Sequence, residues 1–226
     1  MISDYVDRML VAGVDGCRGG WMVAVARPEP FEVVSVAVVT DIGAVIADPS
    51  LAFIAIDMPI GLPETEPRAC DMAARKLLGP RRSSVFPTPV RSVLAATDYP
   101  DALARSRAAS GKGVSKQAWN LVRRIRELDE VMTPALQDRV RETHPELCFA
   151  RLGDGPLAHP KRRIEGRAER IALVGPPPPT PRGGAGDDAL DAIALAHAAA
   201  HFSQGDGRSV GDGAVDRRGL RMEVWW

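Results

Sequence analysis

Three apolar runs stand close together early in the chain: LVAGVD (10–15), WMVAVAR (21–27) and FEVVSVAVV (31–39). Only GCRGG and PEP separate them. Connections this short turn each run back on the one before, so the three form an antiparallel meander. The third run is rich in β-branched residues, which suit a pleated, half-buried surface. TDIGAVIAD (40–48) follows and makes a short helix with Thr40 or Asp41 as its cap. AFIAID (52–57) is a fourth apolar strand and ends in Asp57. A helix between the third and fourth strands brings the fourth in parallel to a partner, so the sheet is mixed and the fold class α/β.

Beyond Asp57, MPIGLPETEP is a proline-rich loop and residues 68–79 read as a helix closing on Gly79. With prolines at 80, 87 and 89, PRRSSVFPTPVRS is expected to hold no regular element. Residues 100–109 and 115–132 read as helices, the second with Trp119, Val122, Ile125 and Leu128 along one face. VRETHPELCF reads as a short strand and then a helix begun by Pro145. Alternating Arg, Glu and Ala over 161–173 suggest an exposed helix. GPPPPTPRGGAG (175–186) reads as a flexible linker, and 187–202 as a helix with Asp187 as its N-cap.

The 226 residues are 45 % hydrophobic and 26 % charged, with no net charge. That is an ordinary globular composition and excludes a uniformly basic nucleic-acid binder. Three scattered cysteines in no CxxC pair argue against a disulfide framework or a zinc site and place the protein in a reducing cytoplasm. MISDYVDRML lacks the basic and apolar regions of a signal peptide. No apolar run reaches the ~20 residues of a membrane span. Charge is unevenly placed: Arg68 to Arg126 holds 13 Lys and Arg against three acids. Such a segment is either a basic face for a polyanion or a set of solvated helix faces paired with the acidic remainder.

The acids are the candidate chemistry. Asp15 and Asp57 close two apolar strands, while Asp187, Asp188 and Asp191 open the last helix. Asp188 and Asp191, three residues apart, project to one side. Carboxylates gathered this way suit Mg²⁺ or Mn²⁺, which take oxygen ligands, and two such ions support phosphodiester cleavage. Taken singly, each acid also has a structural reading. Asp is a common turn residue, and acids in a helix's first turn are favoured by its dipole. Glu146, in the first turn after Pro145, is either a dipole partner or an accessory acid, with Glu142 or His144 as a proton shuttle. Arg18, in the first turn, and Arg81, Arg82 and Ser83 suit phosphate contact or a solvent loop. Gly16 and Gly19 permit either a tight hairpin or close approach by a phosphate. The four tryptophans are read as packing residues.

The stretches VAGVDGCRGGW, AIDMPIGLP, CDMAARKLLGPRRSSVF, KQAWNLVRRIRELD, ETHPELCFARL, GRAERI, DDALDA and GLRMEVWW together resemble an uncharacterised bacterial and archaeal family of predicted nucleases with the ribonuclease H-like fold. The resemblance spans roughly residues 10 to 226. It implies a ribonuclease H-like mixed sheet, an antiparallel three-strand meander plus parallel strands, flanked by helices. The length and the charge distribution suit one domain over 1–226, with a mainly helical basic insertion at about 64–135. The implied active-site acids fall on Asp15, Asp57, Asp188 and Asp191, with Mg²⁺ or Mn²⁺ as cofactor and nucleic acid as substrate. Two other functions remain open on the sequence. One is a phosphotransferase or ATPase of the actin and sugar-kinase type, whose first hairpin binds phosphates. The other is a catalytically inactive nucleic-acid or protein-binding module.

Overall fold

The computed structural model describes residues 9–226. The reading of the first eight residues as free of a signal peptide lies outside them. The fold is α/β, a five-stranded mixed sheet in the order β3-β2-β1-β4-β5 with helices flanking it. The described residues group into two compact units. One comprises the chain up to Asp57, Arg139–Arg208 and Trp225–Trp226; the other comprises Met58–Asp138 and Ser209–Val224.

The first unit holds the sheet. Strands β1 (Leu10–Cys17), β2 (Gly20–Pro28) and β3 (Phe31–Val39) form the expected antiparallel meander. Helix α1 (Ile42–Ala47) starts on Asp41, whose carboxylate accepts from the Gly43 amide at 2.8 Å. It leads to β4 (Leu51–Ile56), which pairs parallel with β1, and β5 (Val140–Glu142) pairs parallel with β4.

The β1–β2 hairpin is tighter than its sequence suggests. Pairing continues past Asp15 (Asp15↔Met22, Gly16↔Trp21, Cys17↔Gly20), which leaves only Arg18 and Gly19 as the turn. Asp15 therefore does not end its strand.

The second unit carries α2 (Ala69–Leu78), α3 (Tyr99–Ser110) and α4 (Lys116–Val131). The segment expected to be irregular contains two 3₁₀ turns, Gly79–Ser84 and Arg91–Ala95. Their short i→i+3 ladders tolerate prolines at the ends. Two arginines counted towards a basic face are buried instead. Arg68 is 2 % exposed, pairs with Asp71 at 2.5 Å and donates to the Ile60 and Gly61 carbonyls. Arg91 grips Asp129 with two bonds of 2.9 and 3.1 Å and also pairs with Asp216. The expectation that the basic residues of 68–126 lie exposed is thus corrected for Arg68 and Arg91, while Lys76, Arg82, Arg107, Lys112, Lys116 and Arg123 are exposed. Counted over the whole unit, 16 bases face 12 acids, a net of only +4.

Back in the first unit, α5 (Pro145–Leu152), α6 (Ile164–Val174) and α7 (Gly186–Ser203) complete the fold. Helix α7 is rich in alanine and buried around most of its circumference; it lies across β1, β2 and β4. Close approach depends on Gly13 of β1. A Cβ there would overlap the Ala192 carbonyl and the Ala196 amide of α7. The linker before α7 is tied down: Gly19 at the hairpin tip donates to the Gly183 carbonyl at 2.8 Å. Asp187 is not the N-cap of α7, which starts one residue earlier with Ala185 at that position.

His197 of α7 stacks on Phe31 with ring centroids 3.5 Å apart. Burial, helped by the nearby His201, pushes its pKa down to about 4. An unfolded chain titrates this group near 6.5, so between the two values the unfolded state binds more protons. Stability contributed by neutral His197 is present above pH 6.5 and is lost as the pH falls towards 4. In urea melts, the wild-type protein is expected to lose about 3 kcal/mol over that interval that His197→Gln retains. Parallel losses in the two proteins would show that His197 is not the titrating group.

Candidate active site

Asp15 and Asp57 owe their closeness to the parallel β1–β4 ladder. Its last pair is Val14↔Ile56, and the Asp57 amide donates to the Val14 carbonyl at 2.9 Å. The next residue after each is an aspartate, Asp15 still on β1 and Asp57 just past the end of β4, one strand spacing of ~4.8 Å apart. Alternation along β1 puts Asp15 on the same face as Gly13, the face that α7 covers. Asp57 stands two residues beyond Ala55 of the core shared with α7, close enough to Asp15 and Asp191 to raise the pKa of both. Asp191 lies in the second turn of α7 and is buried.

The three carboxylates feel one another. Burial pushes the Asp15 carboxyl, 8 % exposed, well above the usual carboxylate range. The charges of Asp57, Asp191 and Asp188 push it further, and Lys161 opposes them. Asp57 is raised by burial and by Glu146, against the pull of His144 and Lys161. Asp191 is pushed up to about 6, again mainly by burial, with Asp57 adding and Lys161 and Arg170 opposing.

The other sequence candidates divide. Asp188 is near enough to raise Asp15, but its carboxylate accepts from the Ala185 amide at 2.8 Å and so caps its own helix. Glu146 is buried and pairs with Arg170 of α6. His144 is the N-cap of α5, its Nδ1 accepting from the Glu146 amide at 3.2 Å. Arg18 is exposed at the hairpin tip. Arg81, Arg82 and Ser83 lie on the Gly79–Ser84 turn of the second unit, Arg82 and Ser83 exposed and Arg81 partly buried.

Two cations beside the acids were not anticipated. The helix expected over 161–173 starts only at Ile164. Residues before it fold back along α6: His159 pairs with Glu169 at 2.6 Å, and a Cβ on Gly166 would overlap the Pro160 carbonyl. This turn delivers Lys161, whose Nζ donates to Asp191 Oδ2 at 2.7 Å. Arg170, 1 % exposed, is fixed by Glu146 and by the Gly166 carbonyl at 2.7 Å. The one hint in the sequence is scarcity. Among 29 basic residues only Lys76, Lys112, Lys116 and Lys161 are lysines.

Asp15, Asp57 and Asp191 offer hard oxygen donors of the type that Mg²⁺ and Mn²⁺ accept. Among the described residues, no three His, Cys, Asp or Glu side chains are grouped so that they could hold a metal ion as they stand. The positive charge in the cluster is the Lys161 ammonium. The donor chemistry thus fits a divalent cation, and the side chains would have to close around it.

The fold and this cluster define an α/β protein with three acids collected between two parallel strands and one helix. The chain belongs to the DUF429 family, described as "Protein of unknown function (DUF429)", which it matches over residues 13–215. Neither the curated proteins nor the solved structures contain a match. The described residues include no helix long and apolar enough to cross a membrane. All three cysteines are free thiols, Cys70 and Cys148 buried.

Proposed function

We propose that this protein is a metal-dependent phosphodiesterase acting on nucleic acid, with a ribonuclease H-like carboxylate site. The observation that carries this reading is the gathering of the buried Asp15 and Asp191 with the half-buried Asp57, close enough to raise one another's pKa. Three acids gathered in such a setting are costly even with Lys161 beside them, and fold stability alone gives no reason to keep them together. The sheet order supports the same reading: a meander whose first strand pairs parallel with the fourth, and a late helix bearing the third acid. In this assignment Asp15, Asp57 and Asp191 would hold the cation, with Asp188 at the edge of the site. Bound divalent ions supply activation of a water and stabilisation of the leaving oxygen. His144, held by its cap bond to the Glu146 amide, lies close to Asp57 and would serve as the proton shuttle. Arg170 fixes Glu146 behind the cluster.

The hairpin geometry counts against the phosphotransferase alternative. A phosphate-binding turn must offer its backbone amides, and the Gly19 amide is already bonded to Gly183. The test is cleavage of a panel of labelled RNA, DNA and hybrid duplexes, with Mn²⁺, with Mg²⁺ and with a chelator. Cleavage of at least one substrate is expected with either metal and none in the chelator. Metal-independent cleavage, or no cleavage across the panel, would contradict the proposal.

A further inference from the structure

Lys161 and Arg170 both place positive charge near the acids, but they are held very differently. Arg170 is locked in the interior by Glu146 and two backbone carbonyls, those of Gly166 and His159. Lys161 stands on a turn, its side chain 44 % exposed, and is tied to the cluster by one bond to Asp191. Its four-carbon stem can swing into solvent at the cost of that single ion pair, with no backbone movement. The groups facing its ammonium are Asp191, Asp15 and Asp57. These are the acids assigned to the cation.

We propose that Lys161 is a displaceable counter-ion, which neutralises the carboxylate cluster in the metal-free protein and competes with a divalent cation for Asp191. The inference rests on the reading of the cluster as a cation site. It adds a role for a residue in no helix or strand. The lysine lets the acids be buried together before metal arrives, and it sets a threshold that the metal must exceed. An ammonium and a divalent ion on one carboxylate repel each other, so each weakens the other's hold.

The test is calorimetric titration of the full chain with MnCl₂, comparing wild type with Lys161→Gln, Lys161→Met and Asp15→Asn. Both lysine variants are expected to bind Mn²⁺ ~10-fold more tightly than wild type, since one competing charge is gone. Asp15→Asn is expected to lose binding. Unchanged or weaker affinity in both lysine variants, with binding still lost in Asp15→Asn, would overturn the competition while leaving the cation site standing. Binding absent from wild type but present in the lysine variants supports the inference in its strongest form. Absence of Asp15-dependent binding in every protein overturns both readings. Failure of both lysine variants to fold, even with Mn²⁺ present, also overturns it, because a counter-ion that can leave is not required by the fold.

Discussion

Asp15→Asn is expected to reduce metal-dependent cleavage by ~10³-fold, the scale seen when one charge-stabilising group is removed from an active site. The metal-free protein should melt at the wild-type temperature or slightly above it. Asn keeps the shape of Asp and much of its hydrogen bonding but cannot offer a charged oxygen to a cation. Folding places the ionised Asp15 carboxylate in a buried setting beside Asp57 and Asp191, which disfavours its charge. Neutralising it relieves that penalty, as commonly happens when a strained functional group is removed. A structural role would give the opposite sign. A turn or cap Asp replaced in this way should cost ~1 kcal/mol and spare activity. The ladder already separates Asp15 from a turn role, because it pairs with Met22 inside the hairpin. Thermal melting in chelator and cleavage in Mn²⁺ check both halves; a destabilised but fully active variant would refute the catalytic assignment.

Gly13→Ala is expected to destabilise the first unit by ~3 kcal/mol or more. The added Cβ meets backbone on α7 at Ala192 and Ala196, not the end of a side chain that could rotate away. Relief requires lifting the helix off β1, which opens the core built by Leu190, Ile193, Ala194 and their neighbours. Because Asp191 rides on α7, the same shift should also weaken Mn²⁺ binding. Urea denaturation of the purified variant measures the first effect, and calorimetry the second. A near-neutral Gly13→Ala protein would mean that α7 does not lie against β1 as described.

The meander and the first parallel pair were legible because their signals are local: apolar runs, short turns and a capped helix. Asp15, Asp57 and Asp191 were legible as candidates for the same reason, since strand ends and a helix start are visible in one dimension. The length of the first hairpin was misjudged because glycine reads as turn, yet Gly16 and Gly20 here pair in the ladder. The burial of Arg91 was not legible for a different reason. The partners of Arg91 are Asp129 and Asp216, the second of them 125 residues away, and both fall outside Arg68–Arg126. Lys161 was hidden inside a pattern of alternating Arg, Glu and Ala that suits a helix. The turn that frees it is made by His159 meeting Glu169 and by Pro160 closing on Gly166, contacts that no periodicity encodes.

The central claim is that Asp15, Asp57 and Asp191 together hold a divalent cation. It is tested most directly by anomalous diffraction from crystals soaked in MnCl₂. A manganese peak is expected between the carboxylates of Asp15, Asp57 and Asp191, with the Lys161 ammonium displaced from Asp191. A well-diffracting soaked crystal with no peak at these carboxylates, and Lys161 still bonded to Asp191, would contradict it.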